Sequence, residues 1–159
     1  MQQNENIIPV YFLPGLAANP SIFKNIQLNS DRFEIHLLEW MIPFEEETIS
    51  EYALRFCSKV THTNAVLVGV SFGGIIAQEM NLVHDFRKII IISSVKTRQE
   101  LPLHLQLAGK TKVYKLIPTS FFAQNIDLLS KYAFGTPIVK RLDLYKQYLS
   151  ITDKRYLDW

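Results

Sequence analysis

Ala65-Val66-Leu67-Val68-Gly69-Val70-Ser71-Phe72-Gly73-Gly74-Ile75-Ile76-Ala77-Gln78-Glu79-Met80 is the stretch that decides how this chain folds. Its first four residues are a short apolar run rich in β-branched side chains, which predicts a buried strand. Gly74 to Met80 carry the pattern of a helix. Between the two, Gly69-Val70-Ser71-Phe72-Gly73 reads G-x-S-x-G, with a serine at the apex of a strand-to-helix turn. So sharp a turn strains the serine backbone and leaves room only for small neighbours, which Gly69 and Gly73 supply. The hydroxyl then stands above the strand end, near a helix N-terminus that favours developing negative charge. A serine placed in this way is a candidate nucleophile, provided that a base takes its proton.

Working outward, Ile7 to Leu13 reads as a strand with Pro9 near its start. Pro14-Gly15-Leu16-Ala17-Ala18-Asn19-Pro20 follows as a loop rich in turn residues. Phe33 to Leu38 alternates in polarity and reads as a second strand. Thr48 and Glu51 form a Thr-x-x-Glu capping box, and Ile49, Tyr52, Ala53 and Phe56 behind it have helical spacing. Lys88 to Ser94, with isoleucines at 89 through 92, is a fourth strand. Strands alternating with helices imply a parallel sheet with helices on its faces. Reactive groups are expected at the carboxyl ends of such strands, where both Ser71 and the Pro14-Gly15-Leu16 loop fall. The second strand delivers Glu39-Trp40 to the same end, more as a wall than as chemistry.

After Ser94 the pattern changes. Residues 97–159 carry helical periodicity broken by Pro102, Gly109, Pro118, Gly135 and Pro137, which predicts several short helices and no strand. Phe121-Phe122 and tyrosines 114, 132, 145 and 148 either pack these helices together or line an apolar pocket beneath them. No internal repeat or charge block is present.

The chain has 159 residues, of which 48% are hydrophobic and 20% charged, enough for one domain with a real core. Seventeen basic against fifteen acidic residues leave a net charge of +2, with no basic stripe of the kind that binds nucleic acid. The single Cys57 lies in a helical pattern and is expected as a small core residue. No metal-ligand spacing is evident, and no metal or organic cofactor is implied. The apolar run Ile7–Leu13 is too short for a signal peptide or a membrane span, so a soluble, cytoplasmic protein is expected.

The turn, the loop before it and the strand–helix order together resemble the α/β-hydrolase family. The resemblance covers roughly residues 6 to 96, with residues 1–96 as the amino-terminal part of the core and 97–159 similar to a helical cap. Gly69-Val70-Ser71-Phe72-Gly73-Gly74 matches the family's nucleophile elbow. Phe12-Leu13-Pro14-Gly15-Leu16 resembles its first βα loop, with Pro14 where a histidine is usual and the essential Gly15 retained. The resemblance implies Ser71 as nucleophile and an oxyanion hole made by the backbone N–H groups of Leu16 and Phe72. One such donor is worth roughly 2.7–4 kcal/mol of barrier. It also implies acyl transfer to Ser71, followed by attack of water, on small carboxylic esters or thioesters.

The family's triad runs Ser, then Asp or Glu, then His. His36 lies inside a strand, and His62 at the amino end of the elbow strand. His84 lies thirteen residues along the helix, roughly 20 Å away. His104 falls in the cap segment. Ser93 to Lys96, where some relatives place the acid, holds no carboxylate; Glu100 is the nearest, and Asp127, Asp143, Asp153 and Asp158 fall on apparent cap helices. The triad acid and histidine are therefore expected to be absent from this chain. The four isoleucines point the same way, because a flat apolar strand calls for neighbours on both sides. The expectation is a hydrolase truncated at its carboxyl end, with feeble turnover. The alternatives are a domain that binds without catalysis and a triad completed from the cap.

Overall fold

The computed structural model describes residues 7–16 and 18–100. Four strands form a single parallel sheet: β1 (Ile8–Leu13), β2 (Phe33–Leu37), β3 (Val66–Val70) and β4 (Lys88–Ile92). Their spatial order is β2-β1-β3-β4. Two α-helices complete an α/β-type fold: α1 (Ile49–Cys57) between β2 and β3, and α2 (Phe72–Val83) between β3 and β4. Each strand lies within a residue or two of its expected place. The helix after Ser71 begins earlier than its periodicity indicates, at Phe72 itself. The helical segment expected over 97–159 falls, beyond Glu100, outside the described residues.

The register divides the side chains between two faces. Tyr11 pairs with His36 and Leu67, and Leu67 with Ile89, so these residues share one face. Both helices pack there: Tyr52, Ala53 and Phe56 of α1 and Ile76, Ala77 and Met80 of α2 join Tyr11, Leu13 and Leu67 in one buried cluster. Burial of each large apolar side chain contributes about 1.5–3 kcal/mol. Val10, Phe12, Val66 and Val68 face the other way, onto Phe23 from the 3-10 turn Pro20–Phe23. Among the described residues, that short turn is the one helical element between β1 and β2.

Helix α1 starts where its sequence says. The Thr48 hydroxyl accepts from the Glu51 N–H at 3.2 Å, and the Glu51 carboxylate accepts from the Thr48 N–H at 2.8 Å. Two amide groups with no partner inside the helix are thereby satisfied. Cys57 is half-buried against the core, and burial pushes its thiol above the ordinary range, as suits a packing residue. At the outer end of the described sheet, Ile90, Ile91 and Ile92 of β4 stay 37–41% exposed.

Candidate active site

Ser71 follows the last residue of β3 and immediately precedes α2. Its backbone has φ 53° and ψ −123°, far from the conformations open to an ordinary L-residue. The surrounding structure holds it there. The Ser71 N–H donates to the Ile92 carbonyl of β4 at 2.9 Å, and the Ser71 carbonyl accepts from Gly74 at 2.9 Å. Such a backbone costs of order 1–3 kcal/mol and persists only where neighbours over-determine it.

The glycines permit this turn by close approach. A Cβ on Gly69 would fall inside the Gly73 carbonyl and 2.6 Å from the Gly74 Cα. A Cβ on Gly73 would overlap the Pro14 carbonyl oxygen and come within 2.5 Å of that of Leu13. The first turn of α2 therefore rests directly on the chain as it leaves β1. This contact brings the start of α2, with its positive pole, against the Pro14-Gly15-Leu16 loop. Gly15 is buried and Leu16 is exposed.

A third segment fixes that loop. The Trp40 indole N–H donates to the Gly15 carbonyl at 2.8 Å in a buried bond, and Ala18 donates to the same oxygen at 3.0 Å. The Trp40 ring packs on Phe72, 5.6 Å between centroids, and on Tyr52 and Phe56 of α1. Trp40 is thus a wall and a brace, in line with the expectation that it serves more as a wall than as chemistry. Behind it, the Tyr52 hydroxyl donates to the Met41 carbonyl at 2.7 Å and accepts from the Met41 N–H at 3.2 Å. Burial pushes this phenol up to about 12. Arg55 grips Glu47 with two bonds, 2.8 and 2.7 Å, reaches the Ile42 carbonyl, and lies 4.1 Å from the Phe44 ring centre. The Arg55 guanidinium holds the Glu47 carboxyl below its usual range. Segment 40–47 is thereby clamped over α1, and Trp40 with it.

Among the described residues, no histidine or carboxylate hydrogen-bonds the Ser71 hydroxyl. His84 caps the far end of α2, and its ring packs against Phe86. His36 and His62 sit together beside Tyr11. Glu100 accepts from the Lys96 N–H and the Thr97 hydroxyl. His104 and Asp127, Asp143, Asp153 and Asp158 lie outside the described residues, as do Phe121, Phe122 and tyrosines 114, 132, 145 and 148.

The structure also assembles a group that no spacing in the sequence reveals. Glu34, His36 and His62 each offer one ligand atom, all within 4.8 Å of one another. A groove of about 560 Å³ passes this corner along the β2 edge, lined by Tyr11, His36, Glu39, Trp40, Lys59 and Thr61. Ser71 does not line it, so the groove and the elbow are separate features.

No family model matches the chain, and no curated protein matches it. Among solved structures, the chain is similar to Est816, described as an N-acyl homoserine lactone degrading enzyme. The TM-score is 0.49 and the identity 19%, over 96% of this chain and 67% of that one.

Proposed function

We propose that this chain carries the nucleophile and oxyanion side of a serine hydrolase of the α/β-hydrolase type. The observation that carries the reading is the Ser71 backbone, φ 53° and ψ −123°, at a strand-to-helix turn packed on Gly69 and Gly73. Glycine would adopt this backbone at less cost, so the serine carries strain. Ser93, after β4, also has a positive φ of 49°, but Ser71 is the one that stands between a strand and the first residue of an α-helix, and we read its strain as the cost of presenting a hydroxyl there.

In the proposed reaction the Ser71 Oγ attacks the carbonyl carbon of a small carboxylic ester or thioester. The N–H groups of Leu16 and Phe72 receive the negative charge that develops on the carbonyl oxygen. The bond to the alcohol or thiol breaks, and the serine proton passes through a base to that leaving group. Water then attacks the acyl-enzyme, its proton returns by the same base to Ser71, and the carboxylic acid departs. Of the four histidines in the sequence, only His104 lies outside the described residues, so it alone within this chain remains to serve as that base.

The test is reaction of the full chain with a fluorophosphonate probe, read by intact mass. A preformed elbow and oxyanion hole give one adduct that Ser71→Ala abolishes. Labelling that is absent, or indifferent to Ser71, would move the reading to a domain that binds without catalysis. Loss of labelling in His104→Gln, with Ser71 intact, would identify a triad completed from the cap.

A further inference from the structure

Glu34, His36 and His62 meet on the helix-bearing face of the sheet, at its β2 edge. Glu34 and His36 are two apart on one strand and so point the same way. His62 comes from the loop between α1 and β3, 26 residues further along. Tyr11, paired with His36 across the β1–β2 ladder, holds both imidazoles. Its ring stacks on His36, 4.6 Å between centroids and 17° from parallel. Its hydroxyl lies 2.6 Å from His62 Nδ1 and accepts from the Thr61 N–H at 3.2 Å. One nitrogen of His62 is thereby engaged, which leaves Nε2 for a ligand. The Nε2 of His36 is buried without a hydrogen-bond partner and stands 3.5 Å from Glu34 Oε1.

We propose that Glu34, His36 and His62 form a zinc-binding site that ties the β2 edge to the α1–β3 loop. Two imidazoles and one carboxylate are a usual zinc donor set, with water in the fourth position. Zinc bonds of about 2.1 Å in a tetrahedron set neighbouring ligands roughly 3.4 Å apart. The His36–Glu34 pair already stands at that spacing. Glu34 is 57% exposed and His36 25%, so the two distances to His62, each within 4.8 Å, close by side-chain rotation and water can reach the metal. Calcium and magnesium, which prefer oxygen ligands throughout, fit this set poorly. Tyr11 is the positioning residue: held by His62 Nδ1, it fixes the ring that presents Nε2. The site does not depend on the reading of Ser71.

The experiment titrates zinc sulfate into the tag-free full chain by calorimetry, and cobalt(II) by visible absorption. One ion per chain and the bands of four-coordinate cobalt are expected. His36→Gln and His62→Gln each weaken binding by more than about 100-fold, and Tyr11→Phe by about 10–100-fold, the usual cost of losing an outer-shell partner. His84→Gln binds as the parent does. Because a variant at this corner can lose its fold, imidazole nitrogen NMR of the parent chain is recorded with and without zinc. Shifts at His36 and His62 support the site. Absence of binding, or shifts confined to His84 or His104, overturns it.

Discussion

The indole N–H of Trp40 and the carbonyl oxygen of Gly15 meet at 2.8 Å in the interior of the protein, joining the end of β2 to the loop after β1. The bond orients the peptide that leads into Leu16, whose N–H is one of the two proposed oxyanion donors. Trp40→Phe keeps the aromatic packing and removes the donor, while Ala18 still satisfies Gly15. A loss of about 1–2 kcal/mol in denaturant melts is expected. The fluorophosphonate reaction should slow as well. A variant that loses stability but labels at the parent rate would show that Trp40 braces the fold alone.

Ser71→Gly should stabilise the chain. Glycine adopts φ 53° at no steric cost, whereas serine there is strained. A gain of about 1 kcal/mol is expected, after the entropic penalty of a glycine. Labelling should vanish in the same protein. Equal or lower stability would mean that the turn is not strained as its dihedrals imply.

Gly73→Ala acts in the opposite direction. Its methyl group would meet the carbonyls of Leu13 and Pro14, which are backbone and cannot rotate away. Destabilisation of about 1–3 kcal/mol or more is expected, with loss of labelling. Chemical melts of this variant beside Ser71→Gly separate packing at the turn from strain within it.

The Glu47–Arg55 clamp makes stability depend on acid. The folded-state pKa of Glu47 is depressed, mainly by the hydrogen bonds from Arg55, from an ordinary value of 4.5. Its contribution is therefore complete above about pH 4.5 and is lost as the pH falls through the lower folded value. Glu47→Gln should cost about 1.5–3 kcal/mol at pH 7. The gap between parent and variant should narrow by pH 3 in urea melts. A gap that is constant with pH would rule out the charge as its source.

Tyr52 reports at the other end of the scale. Its phenol titrates at about 12 when folded and near 10 when unfolded. Stability from this group is present below pH 10 and is lost as the pH rises from there toward 12. Ultraviolet titration should show a tyrosine that ionises late, and Tyr52→Phe should remove that step.

The sequence made the frame legible because its signals are local. The capping box of Thr48 and Glu51 needs only two residues three apart, and both of its bonds are present. Alternation in β2, the apolar run of β3 and the glycines around Ser71 are equally short-range. What escaped was assembled across the fold. Glu47 reaches Arg55 over the first turns of α1, and Trp40 finds Gly15 across 25 residues. His62 read correctly as lying at the amino end of β3, but nothing in its neighbourhood names Tyr11 and His36 as companions. These partners lie on three separate segments and meet only once the register of β1 and β2 is set.

The strand order β2-β1-β3-β4 also sets Leu13 and Ser71 at the ends of neighbouring strands. The chain leaving β1 runs outward to β2, and the chain leaving β3 runs outward the other way to β4. The two connections part company at the carboxyl ends of β1 and β3, a topological switch point of the kind at which open α/β sheets bind ligands. That parting comes from wiring rather than from the side chains around it. Those side chains can change freely, provided the two central strands stay neighbours and the glycines let their loops lean together.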